Sequence, residues 1–142
     1  MILKKFKRTS FQKTKAAMIG GLVDYVLAHK DEEGNRKRLY AFGMNFLTGT
    51  TEAWKREMIA LAEEAVKSRM PVAHWAMSWQ ENEMPDHEQV LEAVNIFLER
   101  MGLKGHQTLV AAHANTGNFH VHIVVNRTHP YTERVVQVNQ HF

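Results

Sequence analysis

The sequence predicts an α+β fold, with helices packed on one face of a central, mainly antiparallel sheet. Three observations lead to this prediction. Apolar residues recur at three- and four-residue spacing in three stretches that alternate with strand-like stretches. Two β-rich runs, residues 106–114 and 118–128, are separated by a short polar segment, which is the pattern of a β-hairpin. The chain has 142 residues and no internal repeat, so we expect one domain.

The first helix is predicted over residues 11–30, where apolar residues share one face and lysines lie on the other. Adjacent Gly20 and Gly21 weaken it by roughly 1 kcal/mol each relative to alanine, so we expect a bend or a close approach to another element. A turn follows at Asp31–Asn35, and residues 36–46 predict a strand at an edge of the sheet.

The second helix and the strand after it are predicted with defined faces. Residues 48–69 have Thr50 or Thr51 as the helix N-cap and a single apolar face. Pro71–Gln80 then alternates as a strand does. The large apolar side chains of this strand are expected in the core: Trp75, Met77 and Trp79. The opposite face is small and polar, which suits the floor of a groove: His74, Ala76, Ser78 and Gln80.

The third helix is predicted from its N-cap, Asp86, to Gly102, with an apolar stripe between them. The hairpin comes next along the chain. Residues 134–139 are rich in valine and are a candidate for a further strand.

The composition excludes several classes of site. There are no cysteines, so disulfides, thiolate nucleophiles and cysteine-ligated zinc are excluded, and any metal must use histidine, aspartate or glutamate. No run of about 18 apolar residues occurs and the first residues lack the apolar segment of a secretory signal, so we expect neither a membrane span nor export. Residues 1–40 hold ten lysines and arginines against four acidic residues, which suits phosphate binding and a solvated basic surface equally well.

Three of the nine histidines, His113, His120 and His122, lie in the predicted hairpin. If the chain turns at Thr116–Gly117, His113 faces His120 across the two strands, and His122 shares their side of the sheet. Three imidazoles that converge on a sheet can hold a metal ion and leave coordination positions open for a substrate. Water activation, dioxygen chemistry and phosphoryl transfer are all compatible with such a centre.

Three segments of the chain together resemble a known family: LVDYVLAHKD, AHWAMSWQENEMP and GHQTLVAAHANTGNFHVHIVVNRTHP. In this order and at these separations they are similar to the N-terminal relaxase domain of plasmid mobilization proteins, the MobA/TraI (MOBP) branch of the HUH endonucleases. The resemblance covers about Met18 to Pro130, and its last segment is the most specific. It implies a palm-like or RRM-like sheet and an enzyme that nicks single-stranded DNA at a plasmid origin of transfer and religates it during conjugative transfer.

The resemblance assigns catalytic and metal-binding roles to four residues. Tyr25 matches the nucleophile, which attacks the DNA to form a 5′-phosphotyrosine. His113, His120 and His122 match the ligands of a divalent metal ion, usually Mg or Mn.

The resemblance also implies where the DNA lies. Ser78 matches a DNA-contacting serine of the family. We therefore expect single-stranded DNA along the strand face that also carries His74 and Gln80. Basic residues of the first forty, among them Arg36 and Arg38, are expected to contact its phosphates.

Asn115 marks a departure from the family pattern. Many relatives have an aspartate there, and an amide cannot accept the tyrosine proton as a carboxylate could. We expect Asn115 and Asn126 to orient the metal ligands instead, while the metal or another base activates Tyr25.

The resemblance implies a setting as well. We expect accessory relaxosome proteins and a type IV secretion coupling protein as partners, no membrane contact, and a location in the bacterial cytoplasm with transfer into the recipient cell. Relaxase domains are longer and usually precede further domains, so residues 1–142 are expected to be the N-terminal portion of a longer protein. Other functions stay open on the residues alone: a non-catalytic single-stranded nucleic-acid-binding domain, a replication-initiator nuclease of the HUH type, and a small-molecule metalloenzyme.

Overall fold

Five β-strands form the centre of the structure, a computed structural model that describes residues 1–7, 13–114 and 117–138. The strands are β1 (Ile2–Phe6), β2 (Arg38–Met44), β3 (Val72–Ser78), β4 (Thr108–His113) and β5 (His120–Asn126). The helices are α1 (Lys15–Leu27), α2 (Thr51–Glu64) and α3 (His87–Arg100). All paired strands are antiparallel, and their order across the sheet is β1-β3-β5-β4-β2. The predicted α+β class with an antiparallel sheet is therefore confirmed.

The helices lie on both faces of the sheet, so the prediction that they pack on one face is wrong. On one side, called here the α3 face, α3 packs against Trp75 and Ile123. On the other, the α1/α2 face, α1 and α2 pack against Leu109 and Val124. Strands covered on both sides need apolar residues at nearly every position, and the unbroken apolar run Ile123–Val125 of β5 meets that need.

The two edges of the sheet differ in how well the sequence predicted them. β2 lies at one edge, as expected. β1 forms the other edge and pairs with β3 along its whole length. The sequence predicts no strand at β1, because Lys4 and Lys5 interrupt the apolar pattern of this basic segment. Lysines are common on edge strands, where they discourage pairing with another chain.

The further strand predicted over residues 134–139 is not present in the described part of that segment. Residues up to 138 contribute a single isolated bridge, between Val135 and Thr128.

α1 begins later than predicted, after Thr14, whose side chain accepts a hydrogen bond from the first turn. It continues without interruption through Gly20 and Gly21. A methyl group at Gly20 would lie 3.8 Å from a side-chain carbon of Lys55 and 3.9 Å from one of Ile59, both on α2. Gly20 thus lies on the side of α1 that faces α2, where a methyl group would make ordinary van der Waals contacts.

α2 and α3 begin at the predicted caps. Thr50 accepts a hydrogen bond from the backbone of Ala53, and Asp86 forms a reciprocal capping box with Gln89. The predicted apolar faces of both helices are buried in the sheet-facing cores, apart from a half-buried Met101. The buried residues are Trp54, Met58, Leu61 and Ala65 for the second helical segment and Val90, Val94, Phe97 and Leu98 for the third.

Candidate active site

The hairpin of β4 and β5 brings three histidines together in the predicted register. His113 lies directly opposite His120, and His122 lies opposite Ala111, so all three rings are on the α1/α2 face. One ring nitrogen from each histidine lies within 4.8 Å of those of the other two. This is the group of potential metal ligands found among the described residues. Asn115 lies outside the described residues, so its expected role stays a prediction.

Each of the three rings has a hydrogen-bonding partner beyond the cluster. His113 donates through Nε2 to the carbonyl of Val26 at 2.8 Å. His120 donates through Nδ1 to the carbonyl of Asn118 at 3.1 Å. A carbonyl only accepts, so these two nitrogens carry the protons, and in a neutral ring the second nitrogen then has the lone pair that a metal requires.

The third ring is held by another histidine. His122 Nδ1 lies 2.6 Å from His74 Nε2, and both rings are buried. The ring of His74 is stacked on Phe6, with centroids 4.1 Å apart and planes 10° apart. β3 and β1 therefore support the side of His122 that faces away from β4.

Burial keeps two of the three clustered imidazoles neutral. Burial, followed by the proximity of His120, Lys37 and Arg38, lowers the pKa of His113 to about 4, although its bond to the Val26 carbonyl opposes the shift. Burial, followed by the neighbouring histidines and Lys37, lowers the pKa of His122 to about 2. Neutral imidazole is the form that binds a metal, so the donor set fits a divalent cation near neutral pH.

Tyr25 reaches this centre from the last turn of α1. Its ring lies 6.0 Å from the ring of His122, centroid to centroid, in an edge-on arrangement at 87°. Ile19, Val23 and Val26 anchor the opposite side of the helix in the core. Tyr25 itself is 55% exposed, so a substrate in solution has access to its side chain. The predicted nucleophile and the predicted metal ligands are therefore neighbours.

Lys37 is a residue of this site that sequence analysis missed. Its side chain is only 5% exposed, its Nζ donates to the carbonyl of Tyr25 at 2.7 Å, and the same Nζ lies 3.6 Å from the centroid of the Tyr25 ring. Burial lowers the pKa of Lys37, and the carboxylates of Asp31 and Glu32 oppose that shift. Nothing in the basic run of residues 36–38 distinguishes its middle member, so no sequence signal could have found it.

The residues expected to contact DNA lie in different surroundings. Ser78 is half-buried directly opposite His120, and Arg38 lies opposite His113 with its guanidinium 3.0 Å from the ring of His29. Both are on the rim of the histidine cluster.

Of the other residues expected to contact DNA, two lie farther from the histidine cluster and one is buried. Arg36 is exposed and contacts the carbonyl of Arg38 through its Nε at 3.4 Å. Gln80 is exposed beyond the end of β3, in the turn closed by Glu83. His74 is buried and paired with His122, so the expectation that it lies open to DNA on a groove floor is corrected.

Asn126 does not support the metal ligands, which corrects a second expectation. Its side chain is fully buried and donates to the carbonyl of Met58 at 3.1 Å and to Gln107 at 3.2 Å. It also accepts a bond from the backbone of Thr128. Asn126 is four residues beyond His122 on β5, about 13 Å along the strand. It therefore ties β5 to α2, away from the triad.

Comparison with known proteins decides the family. Residues 25–142 match the family described as "Relaxase: MobA/VirD2-like, nuclease domain". The chain belongs to this relaxase family. Membership confirms the predicted family and, at that level, its association with DNA nicking, plasmid mobilization and conjugation.

Two curated relatives support the assignment. The relaxase domain is 48% identical to Protein MobA of Acidithiobacillus ferrooxidans over 85 residues, which are 60% of this chain and 21% of that protein. It is 30% identical to Protein TraI of Escherichia coli over 126 residues, which are 87% of this chain and 17% of that protein. The chain thus spans about a fifth of the length of these relatives. Among its described residues, no helix combines the length and apolar character needed to cross a bilayer.

Proposed function

We propose that this relaxase domain nicks single-stranded DNA at a plasmid origin of transfer through attack by Tyr25, with a divalent cation held by His113, His120 and His122. The observation that carries the proposal is the edge-on contact of the Tyr25 and His122 rings at 6.0 Å. The contact brings together α1 and β5, which are far apart in sequence. Because the two rings are neighbours, a phosphate bound at the histidine cluster would also be within reach of the phenol.

In the proposed step, the phenol oxygen of Tyr25 forms a bond to the scissile phosphorus and the bond to the 3′ oxygen breaks. The phenol proton passes to solvent or a base, and the departing 3′ oxygen takes up a proton. The products are a 5′-phosphotyrosine and a free 3′-hydroxyl, and the reverse reaction reseals the strand. A bound Mg²⁺ or Mn²⁺ would neutralise charge on the phosphate oxygens.

The protein's contribution to the centre is the fixed orientation of the imidazoles. The backbone carbonyls of Val26 and Asn118 hold His113 and His120. Nδ1 of His122 lies 2.6 Å from Nε2 of His74. When Nε2 of His122 binds the cation, Nδ1 carries the ring proton and donates it to His74. His74 is thus proposed to act through His122 rather than by touching DNA.

The DNA strand is proposed to cross the rim of the cluster. Ser78 and Arg38 lie beside two of the histidines, and Arg36 and Gln80 extend the polar rim outward. Lys4 of β1 faces the same side of the sheet, because it pairs opposite Ala76. Contacts of these cations with phosphates would make binding weaken as salt rises.

The wider setting expected from the sequence belongs to this proposal as well. We infer that the domain is the N-terminal portion of a longer mobilization protein that acts in the bacterial cytoplasm. Accessory relaxosome proteins and a type IV secretion coupling protein would be its partners, with transfer into the recipient cell.

The test is covalent capture of cleaved DNA. A 3′-labelled strand containing a candidate transfer origin is incubated with Mn²⁺ and protein, and a labelled protein band is sought on a denaturing gel. Tyr25→Phe should abolish the band, and chelation by EDTA should abolish it in the wild type. Tyr131→Phe is the matched control, since Tyr131 is 88% exposed and lies beyond the triad-bearing strands. Binding without any adduct would favour a non-catalytic nucleic-acid-binding domain, and an adduct that survives Tyr25→Phe would reassign the nucleophile.

A further inference from the structure

Lys37 touches Tyr25 in two places at once. Its Nζ donates to the Tyr25 carbonyl at 2.7 Å and lies 3.6 Å from the centroid of the Tyr25 ring. A cation within about 6 Å of an aromatic face is attracted to it, and the attraction grows when the cation is shielded from water. Lys37 is almost fully buried, so the ring is held by a contact stronger than one at an open surface.

The backbone of Lys37 is fixed from both sides. Its N–H donates to the carbonyl of His29 at 2.7 Å, and its carbonyl accepts the N–H of Ala114 at 3.1 Å. His29 follows α1, and Ala114 follows His113 at the end of β4. Lys37 therefore links the end of the tyrosine helix to the end of a strand that carries a metal ligand.

The charge of Lys37 also meets a need of the helix itself. The last carbonyls of a helix have no partners within it and carry partial negative charge. The last turn of α1 contains no basic residue of its own. Lys37 and His113 bond to two consecutive carbonyls there, those of Tyr25 and Val26. The ammonium is thereby kept beside the tyrosine rather than in solvent.

We propose that Lys37 is a positioning residue for the relaxase reaction, holding the Tyr25 ring at the edge of the histidine cluster and keeping a positive charge beside the phenol during attack. The proposal rests on the function proposed above, in which Tyr25 is the nucleophile. The Tyr25 side chain is half-exposed at the end of a helix. The buried Lys37 would hold it in the orientation that attack requires.

The contact itself is tested by NMR on the intact domain, without DNA or metal. The ε-methylene protons of Lys37 next to the ring face should be shifted upfield by the ring current of Tyr25. Tyr25→Leu should return them to the ordinary lysine position, and Tyr131→Leu should leave them shifted. Ordinary positions in the wild type would overturn the proposal, whether or not the domain cleaves DNA.

The role is tested by single-turnover cleavage with three variants. Lys37→Met should lower the maximal cleavage rate by about 10- to 100-fold, the cost of a slightly misplaced nucleophile, with little change in the DNA concentration for half-maximal rate. Lys37→Arg keeps the cation and should recover most of the rate. Lys104→Met removes an exposed lysine from the loop between α3 and β4 and should match the wild type.

Three results separate the two proposals. A wild type that forms no 5′ adduct would refute the proposed function and leave the NMR result to decide the contact. A Lys37→Met variant that cleaves at the wild-type rate would refute the positioning role alone. A folded Lys37→Arg variant as slow as Lys37→Met would also refute it, because a cation at this position would then be insufficient.

Discussion

The two faces of the sheet are built from alternate residues of the same strands, yet they have different chemistry. The α3 face is uniformly apolar where β3, β4 and β5 meet the helix, with Trp75, Val110 and Ile123 at its centre. The α1/α2 face mixes apolar contacts near one end of the strands with the histidine cluster at the other. The period of two along a strand therefore lets an apolar core and a histidine cluster share one backbone.

The α1/α2 face can hold imidazoles, two of them buried and that of His120 half-buried, because each has a defined partner. Burying a polar group without a hydrogen bond costs roughly 1–3 kcal/mol in proteins. Here two rings bond to backbone carbonyls and the third to His74. The α3 face thus supplies rigidity, while the α1/α2 face uses hydrogen bonds to orient its imidazoles. Five predictions test that division, in order of decreasing expected effect.

The α1/α2 face should make the metal-free protein sensitive to acid. Burial is the main cause that lowers the pKa of His74 and of His113 from 6.5 to about 4. Below about pH 6.5 the unfolded chain takes up protons at these rings, whereas the folded protein does not until about pH 4. Stability that is complete above this window is thus lost within it, by about 1.4 kcal/mol per pH unit for each histidine.

Urea unfolding in EDTA at a series of pH values measures this loss. His74→Phe should make the dependence shallower, since it removes one of the two histidines, whereas His29→Gln, which alters an exposed histidine, should leave the dependence unchanged. A free energy of unfolding that stays constant from pH 7 to pH 4.5 would contradict the prediction.

The α3 face should dominate stability at neutral pH. Ile123→Ala removes a fully buried side chain next to Trp75 and should lower the free energy of unfolding by about 2–5 kcal/mol. Chemical denaturation gives the stability, and calorimetry below the unfolding transition gives Mn²⁺ affinity. The affinity should be unchanged, and a large loss of it would mean that the two faces are not independent.

His122→Ala changes the adjacent residue, which points to the opposite face. Loss of a ligand should weaken Mn²⁺ binding by more than about 100-fold, beyond the range seen for loss of an outer hydrogen-bonding partner. The destabilisation should be smaller than that of Ile123→Ala. Calorimetry and denaturation on the pair would measure both quantities, and equal Mn²⁺ affinities for the two variants would remove His122 from the metal centre.

His74→Ala should weaken Mn²⁺ binding by about 10- to 100-fold, because it removes the partner that orients His122. His87→Ala is the matched control, since His87 contacts the rings of Tyr40 and Phe42 away from the cluster. Calorimetry gives the Mn²⁺ affinity of both variants. If the two variants bind Mn²⁺ equally well, the contact between His74 and His122 has no part in metal binding.

The smallest effect is expected for Asn115→Asp. A carboxylate can accept the phenol proton where an amide cannot, so cleavage at neutral pH should be equal or somewhat faster. Initial rates of adduct formation between pH 6 and pH 8 would measure this. A clear loss of rate would instead give the amide of Asn115 a role of its own.

The sequence predicted the parts of the site that depend on local pattern. The convergence of His113, His120 and His122 follows from strand alternation and a short turn, both of which are readable from adjacent residues. The helix caps Thr50 and Asp86 were predicted for the same reason, since capping depends on residues within one turn.

The rest depends on tertiary arrangement. The pairing of His74 with His122 requires β3 to lie beside β5. No feature of either strand's sequence predicts which strand it pairs with. The burial of Lys37 depends on where the end of α1 meets β4. The placement of helices on both faces likewise depends on the paths of the connections, since amphipathic helices fit either side of a sheet that is apolar on both.

In the proposed mechanism, His113 has two tasks, because it binds the cation and also bonds to the Val26 carbonyl. A His113 ring that shares one nitrogen with a cation becomes a stronger donor through the other, which tightens its hold on the final turn of α1. Binding of the cation and placement of the Tyr25 side chain would then be coupled. An evolutionary replacement at position 113 would have to supply a ligand and a helix anchor in the same step, which leaves that position little freedom to drift.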